Sequence, residues 1–392
     1  MKTASYSRLI ILSSLLFALV AAAQDRGEGE QQLRDRFQSG FQAIVDDLNS
    51  GSVARLAAAI DKPEFHRRVL DLRLIDPSIK KSYRDKAKRD FEKVIAANYG
   101  LEGEETKVTL LGFESRGNRG RAVVRFDLPK FQFNYHEYEL RLSDDGAVVV
   151  LDWIDFGWGE RFTQALGVNL VLAMPRKQAI RKLVDFPLSR ENEIFQLGEA
   201  CKALRDGKVD RYFEILENFD DRMKRQRFIV LSSVQLTKIV KNRRKMRTAL
   251  KTMAGYYGED PMYSLMLLDY YIPSRLYDAA IKSLLVLQGR LGFEDAAMDA
   301  RLSATALVMG NIQDAAAYAE TAISRQPSLE LGWWSALNVR VSQADYPGSV
   351  QALKKLENDF GYLLDPDALR RDKRYAALIA SDEYRSWRAT VD

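Results

Sequence analysis

The stretch from Gly310 to Pro327, GNIQDAAAYAETAISRQP, constrains the fold more than any other part of the chain. Ala315, Ala319 and Ala322 stand there between a Gly and a Pro, at helical spacing. Small side chains in that pattern let two helices approach closely. The frame recurs. Glu330 to Gly361 places Trp333 first, then Ser349, Leu353 and Leu356, and one unit earlier Leu267, Leu268, Tyr271, Ala280, Leu284 and Leu287 fall in step. Neighbouring units in one 34-residue frame predict stacked helix pairs, which bury a continuous core only when three or more lie side by side.

The unit Ala296 to Leu329 resembles a tetratricopeptide repeat, whose pattern is W-x2-L-G-x2-Y, then A-x3-F and a closing Pro. Leu302, Ser303 and Ala306 take the first-helix packing positions, and Ala315, Ala319 and Ala322 the second-helix ones. Gly310 falls at the inter-helix turn and Pro327 at the repeat end. Arg275 to Ile281 reads as the preceding turn and second-helix start. Further upstream the match fades: Ala249 and Met253 fit a second helix ending at Pro261, and Gly207 to Phe219 fits one loosely. Asp372 to Trp387 resembles the closing helices of such arrays. The resemblance implies a groove for a protein or peptide, formed mainly by the first helix of each pair. Its positions map onto Lys238, Lys241, Leu265, Asp269, Ile272, Ala300, Ala304, Trp334, Asn338 and Val341. Whether that groove is open or covered by the chain itself stays undecided at the sequence level. Trp333 and Trp334 point about 100° apart on one helix. Trp333 is expected between helices and Trp334 in the groove.

The N-terminal part has a different pattern. Leu33, Phe37, Phe41, Ile44 and Leu48 share one helical face, stopped by Asn49-Ser50-Gly51. Ser52 can cap a short second helix through Ile60. A third helix is expected to carry Tyr83, Ala87, Phe91, Val94 and Asn98, ending at Gly100. The period then becomes two. Val108–Phe113 and Arg121–Leu128 flank a Gly-rich turn, and Phe131–Leu142 and Ala147–Phe156 flank Ser143-Asp144-Asp145-Gly146. In the third strand Phe131, Phe133 and Tyr135 share one parity while Tyr138, Leu140 and Leu142 share the other. A β-bulge near His136-Glu137 would keep all six on one face. Helices followed by a bent antiparallel meander resemble the NTF2-like (SnoaL-like) cone fold over roughly Gln31 to Phe162.

The N-terminus itself carries Lys2 and Arg8, the apolar run Leu9 to Val20, and Ala21-Ala22-Ala23. That order predicts a secretory signal cleaved after Ala23. No Cys follows the apolar core, which argues against a bacterial lipoprotein. No later run is long and apolar enough to span a membrane. Of 392 residues at net charge +5, removal of 23 with two positive charges leaves 369 at +3. Cys201 is the single cysteine, so no internal disulfide can form. An exported chain without disulfides points to a bacterial periplasm.

Motifs for chemistry are sparse. His66 and His136 are the only histidines, and no metal-ligand spacing, P-loop, nucleophile elbow or dinucleotide fingerprint occurs. Gly157-Trp158-Gly159 opens like a phosphate loop, but Phe162 stands where the third Gly belongs, so a strand-end turn is the reading. No metal, cofactor or catalytic residue is assigned. A cone pocket, where burial could shift a carboxyl pKa, would be lined from Tyr135, His136, Asp152, Trp153 and Asp155. Strand parity opposes Asp152 to Trp153 and Asp155. Lys224, Arg225, Arg227, Lys238, Lys241, Arg243, Arg244, Lys245 and Arg247 form a basic segment between Arg222 and Lys251. In an exported protein this fits an anionic envelope polymer or lipid headgroup, or a solvated turn, rather than nucleic acid.

The expected organisation is a signal over 1–23, an α+β NTF2-like domain over 24–165, a connecting helix or linker over 166–191, and a tetratricopeptide-like helical domain with capping helices over 192–392. The expected role is a non-catalytic protein- or peptide-binding scaffold in envelope assembly or maintenance. The rival is a small-molecule-binding protein or enzyme using the cone cavity.

Overall fold

The structure, a computed structural model, describes residues 31–70, 81, 83, 85, 91–93, 95–96, 106–173, 180–181, 183–184, 188, 191–362 and 366–390. The proposed signal, much of the expected third helix (Ala87, Val94, Asn98, Gly100) and most of the Asp185–Ser189 boundary lie outside them. The chain forms two compact units whose segments interleave. The first holds the chain up to Asp127 with His136–Ile154 and Arg161–Gln164. The second holds Leu128–Tyr135, Asp155–Glu160 and the chain from Ala165 onward.

The first unit is α+β. The helix over 31–49 buries Phe37, Phe41, Ile44 and Leu48, the face set by their spacing. Helices Ala54–Ala59 and Lys62–Leu70 follow. The second of these was not foreseen, although Asp61 marks its start: its carboxylate accepts from the Glu64 amide at 3.1 Å. Tyr83 and Phe91 are helical, as expected. Strands β1 (Lys107–Arg116), β2 (Arg119–Leu128), β3 (Gln132–Leu142), β4 (Val148–Asp155) and β5 (Glu160–Arg161) pair in sequence order. The first hairpin closes tightly, with Arg116 opposite Arg119 and Gly117 at φ 60°. The β1–β2 register shifts between Leu110 and Gly112. An aromatic core joins helices to sheet: Trp153 stacks on Phe162 at 4.1 Å, Tyr138 lies 5.0 Å from Phe41, and Phe65 meets Phe91 edge-on at 5.4 Å.

The second unit is helical. Among the described residues its pairs are Glu191–Arg205 with Val209–Glu217, Arg227–Ile239 with Arg243–Tyr257, Ser264–Tyr271 with Tyr277–Leu291, Ala296–Met309 with Ile312–Arg325, and Glu330–Ser342 with Tyr346–Phe360. These are pairs one to five in chain order. Short helices Pro366–Arg371, Ala376–Ala380 and Asp382–Arg388 close the array. Ala315, Ala319 and Ala322 are buried, with Ala315 and Ala319 against Ala306, Ala336 and Val339. Among the described residues, no helix is long and apolar enough to cross a membrane.

All five pairs turn in the same way. A left-handed residue sits in each turn: Gly207, Lys241, Arg275, Gly310 and Ala344, a recurrence every 34 or 35 residues. The next residue donates its amide back to the first helix in each case: Lys208 to Ala203, Asn242 to Thr237, Leu276 to Tyr271, Asn311 to Ala306 and Asp345 to Arg340, at 2.8–3.0 Å. This closure satisfies a helix-end carbonyl and asks for φ near +60°, where Gly is the easy residue. Lys241 and Arg275 hold φ 55° and 59° at a cost of about 1–2 kcal/mol each.

Candidate functional site

The site is built in the second unit from two inserted segments and the first helices of pairs two to five. The segment 128–135 begins as a turn. Lys130 and Phe131 both have positive φ, 60° and 59°. Phe131 was expected on a strand face and lies instead in this turn, because β3 begins at Gln132. Two non-glycine residues in such a turn are costly, and contacts from the helices hold them. The Arg301 guanidinium donates to the Phe131 carbonyl at 2.7 Å and lies 5.5 Å over the Phe133 ring. The Phe131 ring meets Trp334 at 6.4 Å. Phe133 packs on Ala296, Ala297 and Leu329. Tyr135, fully buried, donates its hydroxyl to the buried carboxylate of Asp295 at 2.5 Å. The parity change within β3 has its counterpart here. Tyr135 is the last residue of the segment in the helical unit, and His136 the first in the α+β unit.

The segment 155–160 is a turn stapled by Asp155. Its carboxylate accepts from the amides of Gly157 and Trp158 at 2.8 and 3.1 Å and from the Asn134 side chain at 2.8 Å. Gly159 has φ 73°, and a Cβ there would lie 2.8 Å from the Tyr263 ring, so both conformation and proximity require glycine. Gln235 donates to the Trp158 carbonyl and to Glu160, each at 3.2 Å. Burial pushes the Glu160 carboxyl up to about 7, against the opposing pull of Gln235 and Arg227.

Between these segments and pairs two and three lies a cleft of about 740 Å³. Trp158, 49% exposed, stands on one side. Leu265, Leu268 and Ile272 form an apolar floor, and Lys238, Asp269 and Arg301 supply charge. Lys238 and Asp269 pair at 3.9 Å, both about half-exposed. Burial raises the Asp269 pKa, opposed by Lys238 and Arg301, and burial lowers that of Arg301.

The groove positions read from sequence divide. Lys238, Leu265, Asp269 and Ile272 line the cleft together. Lys241 is exposed on the turn of pair two. Ala300 is buried, its carbonyl accepting from Ser335, and Ala304 is half-buried. The Trp334 ring meets Phe131 at 6.4 Å and Tyr362 at 5.2 Å. Asn338 donates to the Trp334 carbonyl and accepts from Tyr375, both at 2.8 Å, and Val341 packs in the same cluster. Trp333 is half-buried, its indole donating to the Pro327 carbonyl at 2.8 Å. The chain's own residues thus pack on Trp334 and Asn338, while Lys238, Leu265, Asp269 and Ile272 line the cleft.

The five cone candidates divide between the two units. Tyr135 and Asp155 belong to the segments just described. His136 is buried against Phe126 at 4.4 Å, with Tyr138 hydroxyl 3.4 Å from Nδ1. Trp153 is the centre of the aromatic core. Asp152 is buried and accepts from Thr163 hydroxyl at 2.7 Å and from two backbone amides, with Arg68 and Arg161 each 3.8 Å away. Burial raises its pKa, opposed by those hydrogen bonds and by Arg161. Glu139, beside the same Arg68 at 2.8 Å, is held low by that hydrogen bond. Burial pushes the Cys201 thiol up to about 12, the behaviour of a packing residue. Among the described residues, no cluster of His, Cys, Asp and Glu could hold a metal ion.

Most of the basic segment is engaged locally. Arg222 pairs with Glu193 at 3.1 Å, Lys245 with Asp210 at 2.7 Å, and Arg225 lies over Tyr256 at 5.5 Å. Arg227 donates to the Gly159 carbonyl at 3.4 Å. Sequence reasoning placed Gly157-Trp158-Gly159 in a strand-end turn but missed that both segments belong to the helical unit. The available signal was Trp158 between two glycines, a large aromatic in a turn.

No protein-family model and no curated protein matches the chain. Among solved structures, it is similar to the Chs5-Chs6 exomer cargo adaptor complex bound to a portion of Chs3, at 11% identity and a TM-score of 0.23. The match covers 68% of this chain and 43% of that one, so it spans less than half of the chain it matches. A likeness at that level settles neither fold nor function.

Proposed function

We propose that this is an exported, periplasmic scaffold that holds a segment of another polypeptide, without catalysis, in the open cleft of a tetratricopeptide-like array. The observation that carries the reading is the cleft: an exposed indole, Trp158, faces an apolar floor beside an adjustable ion pair, Lys238 with Asp269. Such a lining suits alternating apolar and polar side chains of an extended segment or helix. The recurrence of one left-handed turn every 34 or 35 residues supports the repeat reading through all five pairs, including the two where residue types blur it. Helices packed on a five-stranded antiparallel meander support an NTF2-like reading of the first unit, here as the body that carries the two inserted segments. The signal-like start at 1–23 supports export, and envelope assembly or maintenance is the setting that follows.

The test is capture of polypeptide by the intact protein. Trp158→Ala and Lys238→Glu change half-exposed side chains, so the melting curve should stay in place while capture falls at least tenfold. Undiminished capture by both variants would place the partner elsewhere.

A further inference from the structure

Six large apolar side chains stand exposed around the turns of pairs two, three and four: Ile239, Val240, Leu276, Val308, Met309 and Ile312. Ile239 and Val308 are 67% and 62% exposed. These turns follow one another along one edge. The Arg247 guanidinium reaches Ser274 Oγ at 3.5 Å, linking turn two to turn three. Ile281, after turn three, packs against the buried cluster that contains Ala306, just before turn four. We propose that this edge docks on an anionic lipid surface, the apolar tips entering the interface and the adjacent cations meeting the headgroups.

The cations are placed against local preference. Lys241 and Arg275 occupy left-handed turn positions where Gly207 and Gly310 stand in pairs one and four. Arg243 and Arg244 open a helix that has no acidic residue in its first turn, at the end where the helix dipole disfavours positive charge. Lys241, Arg243 and Arg275 are exposed and make no ion pair with another described residue. Residues kept where the backbone and the dipole oppose them point to an external use. Asp278 and Asp314 are the exposed acids at the following helix starts. A soluble polyanion would match the cations but leave the apolar tips in water, whereas a charged bilayer surface receives both. Ile239 also lines the cleft, whereas Leu276 and Val308 do not, so changes at those two test the docking apart from it.

Vesicle flotation with the purified protein tests the proposal. Vesicles containing phosphatidylglycerol should bind it and pure phosphatidylcholine vesicles should not, with binding weakened by salt. Leu276→Ser with Val308→Ser should lower the partition coefficient about tenfold. Lys241→Gly with Arg275→Gly should also lower it while raising thermal stability, since glycine relieves both left-handed turns. A Val308→Trp reporter should shift to shorter emission wavelength on anionic vesicles and be quenched by brominated acyl chains. Equal binding to both vesicle types, or an unmoved Val308→Trp emission, overturns the proposal. So does tight binding of soluble polyphosphate that matches vesicle binding and is unaffected by Leu276→Ser with Val308→Ser.

Discussion

Removing one hydroxyl should weaken the helical unit measurably. Tyr135 and Asp295 are 0% and 2% exposed, and the hydroxyl donates to the carboxylate at 2.5 Å across 160 residues of sequence. A hydrogen bond to a charged group contributes about 1.5–3 kcal/mol, and its loss leaves a buried carboxylate with one donor fewer. Tyr135→Phe keeps the ring packing on Phe133 and should therefore cost about 2 kcal/mol. Two units need not unfold together, so a single transition is not assumed. Hydrogen exchange of the amides in Ala296–Met309 localises the effect, and urea unfolding gives its size. Pairing the change with Asp295→Asn in a double-mutant cycle should return a coupling of about 1–2 kcal/mol. A loss under about 0.5 kcal/mol with no coupling would refute the reasoning, because segment 128–135 would not then be held by the array.

Glu160 should make the protein lose stability as pH rises, a loss that the same chain with Glu160→Gln should not show. Its folded pKa of about 7 lies above the usual 4.5, so this group's favourable contribution is full below 4.5 and is lost as pH rises through about 7. Glu160→Gln should gain about 1–3 kcal/mol at pH 8 and flatten the profile between those values, as followed by urea unfolding across pH. Trp334→Ala should cost about 2–3 kcal/mol in thermal or urea unfolding, since its ring lies between Phe131 and Tyr362. A neutral result there would mean that Phe131 does not rest on Trp334.

The parts of this fold that were legible in sequence are those where one rule acts alone. Ala315, Ala319 and Ala322 could be read because only small residues fit where helices meet, and Phe37, Phe41, Ile44 and Leu48 because one helical face meets the sheet. The upstream repeats were faint for a physical reason. Their turns use Lys241 and Arg275 where the readable residue would be Gly, so the backbone keeps the period while the residue types hide it. The helix Lys62–Leu70 was lost behind Pro63, which tolerates a first helical turn as readily as a loop. The cleft could be read only by half. Lys238, Leu265, Asp269 and Ile272 follow from the repeat frame, but Trp158 and Phe133 arrive from strand ends more than 70 residues away. No periodicity links a hairpin tip to a distant helix, and Phe131 even mimicked a strand residue by its parity.

The cleft itself is open to a direct measurement in cells. A photoreactive amino acid in place of Trp158 should form covalent adducts with a polypeptide partner, and these should vanish when Lys238→Glu is added. The same group at Ser324, exposed on the second helix of pair four, should form none of them. Adducts that are absent at position 158, or identical from positions 158 and 324, would contradict a polypeptide-holding cleft.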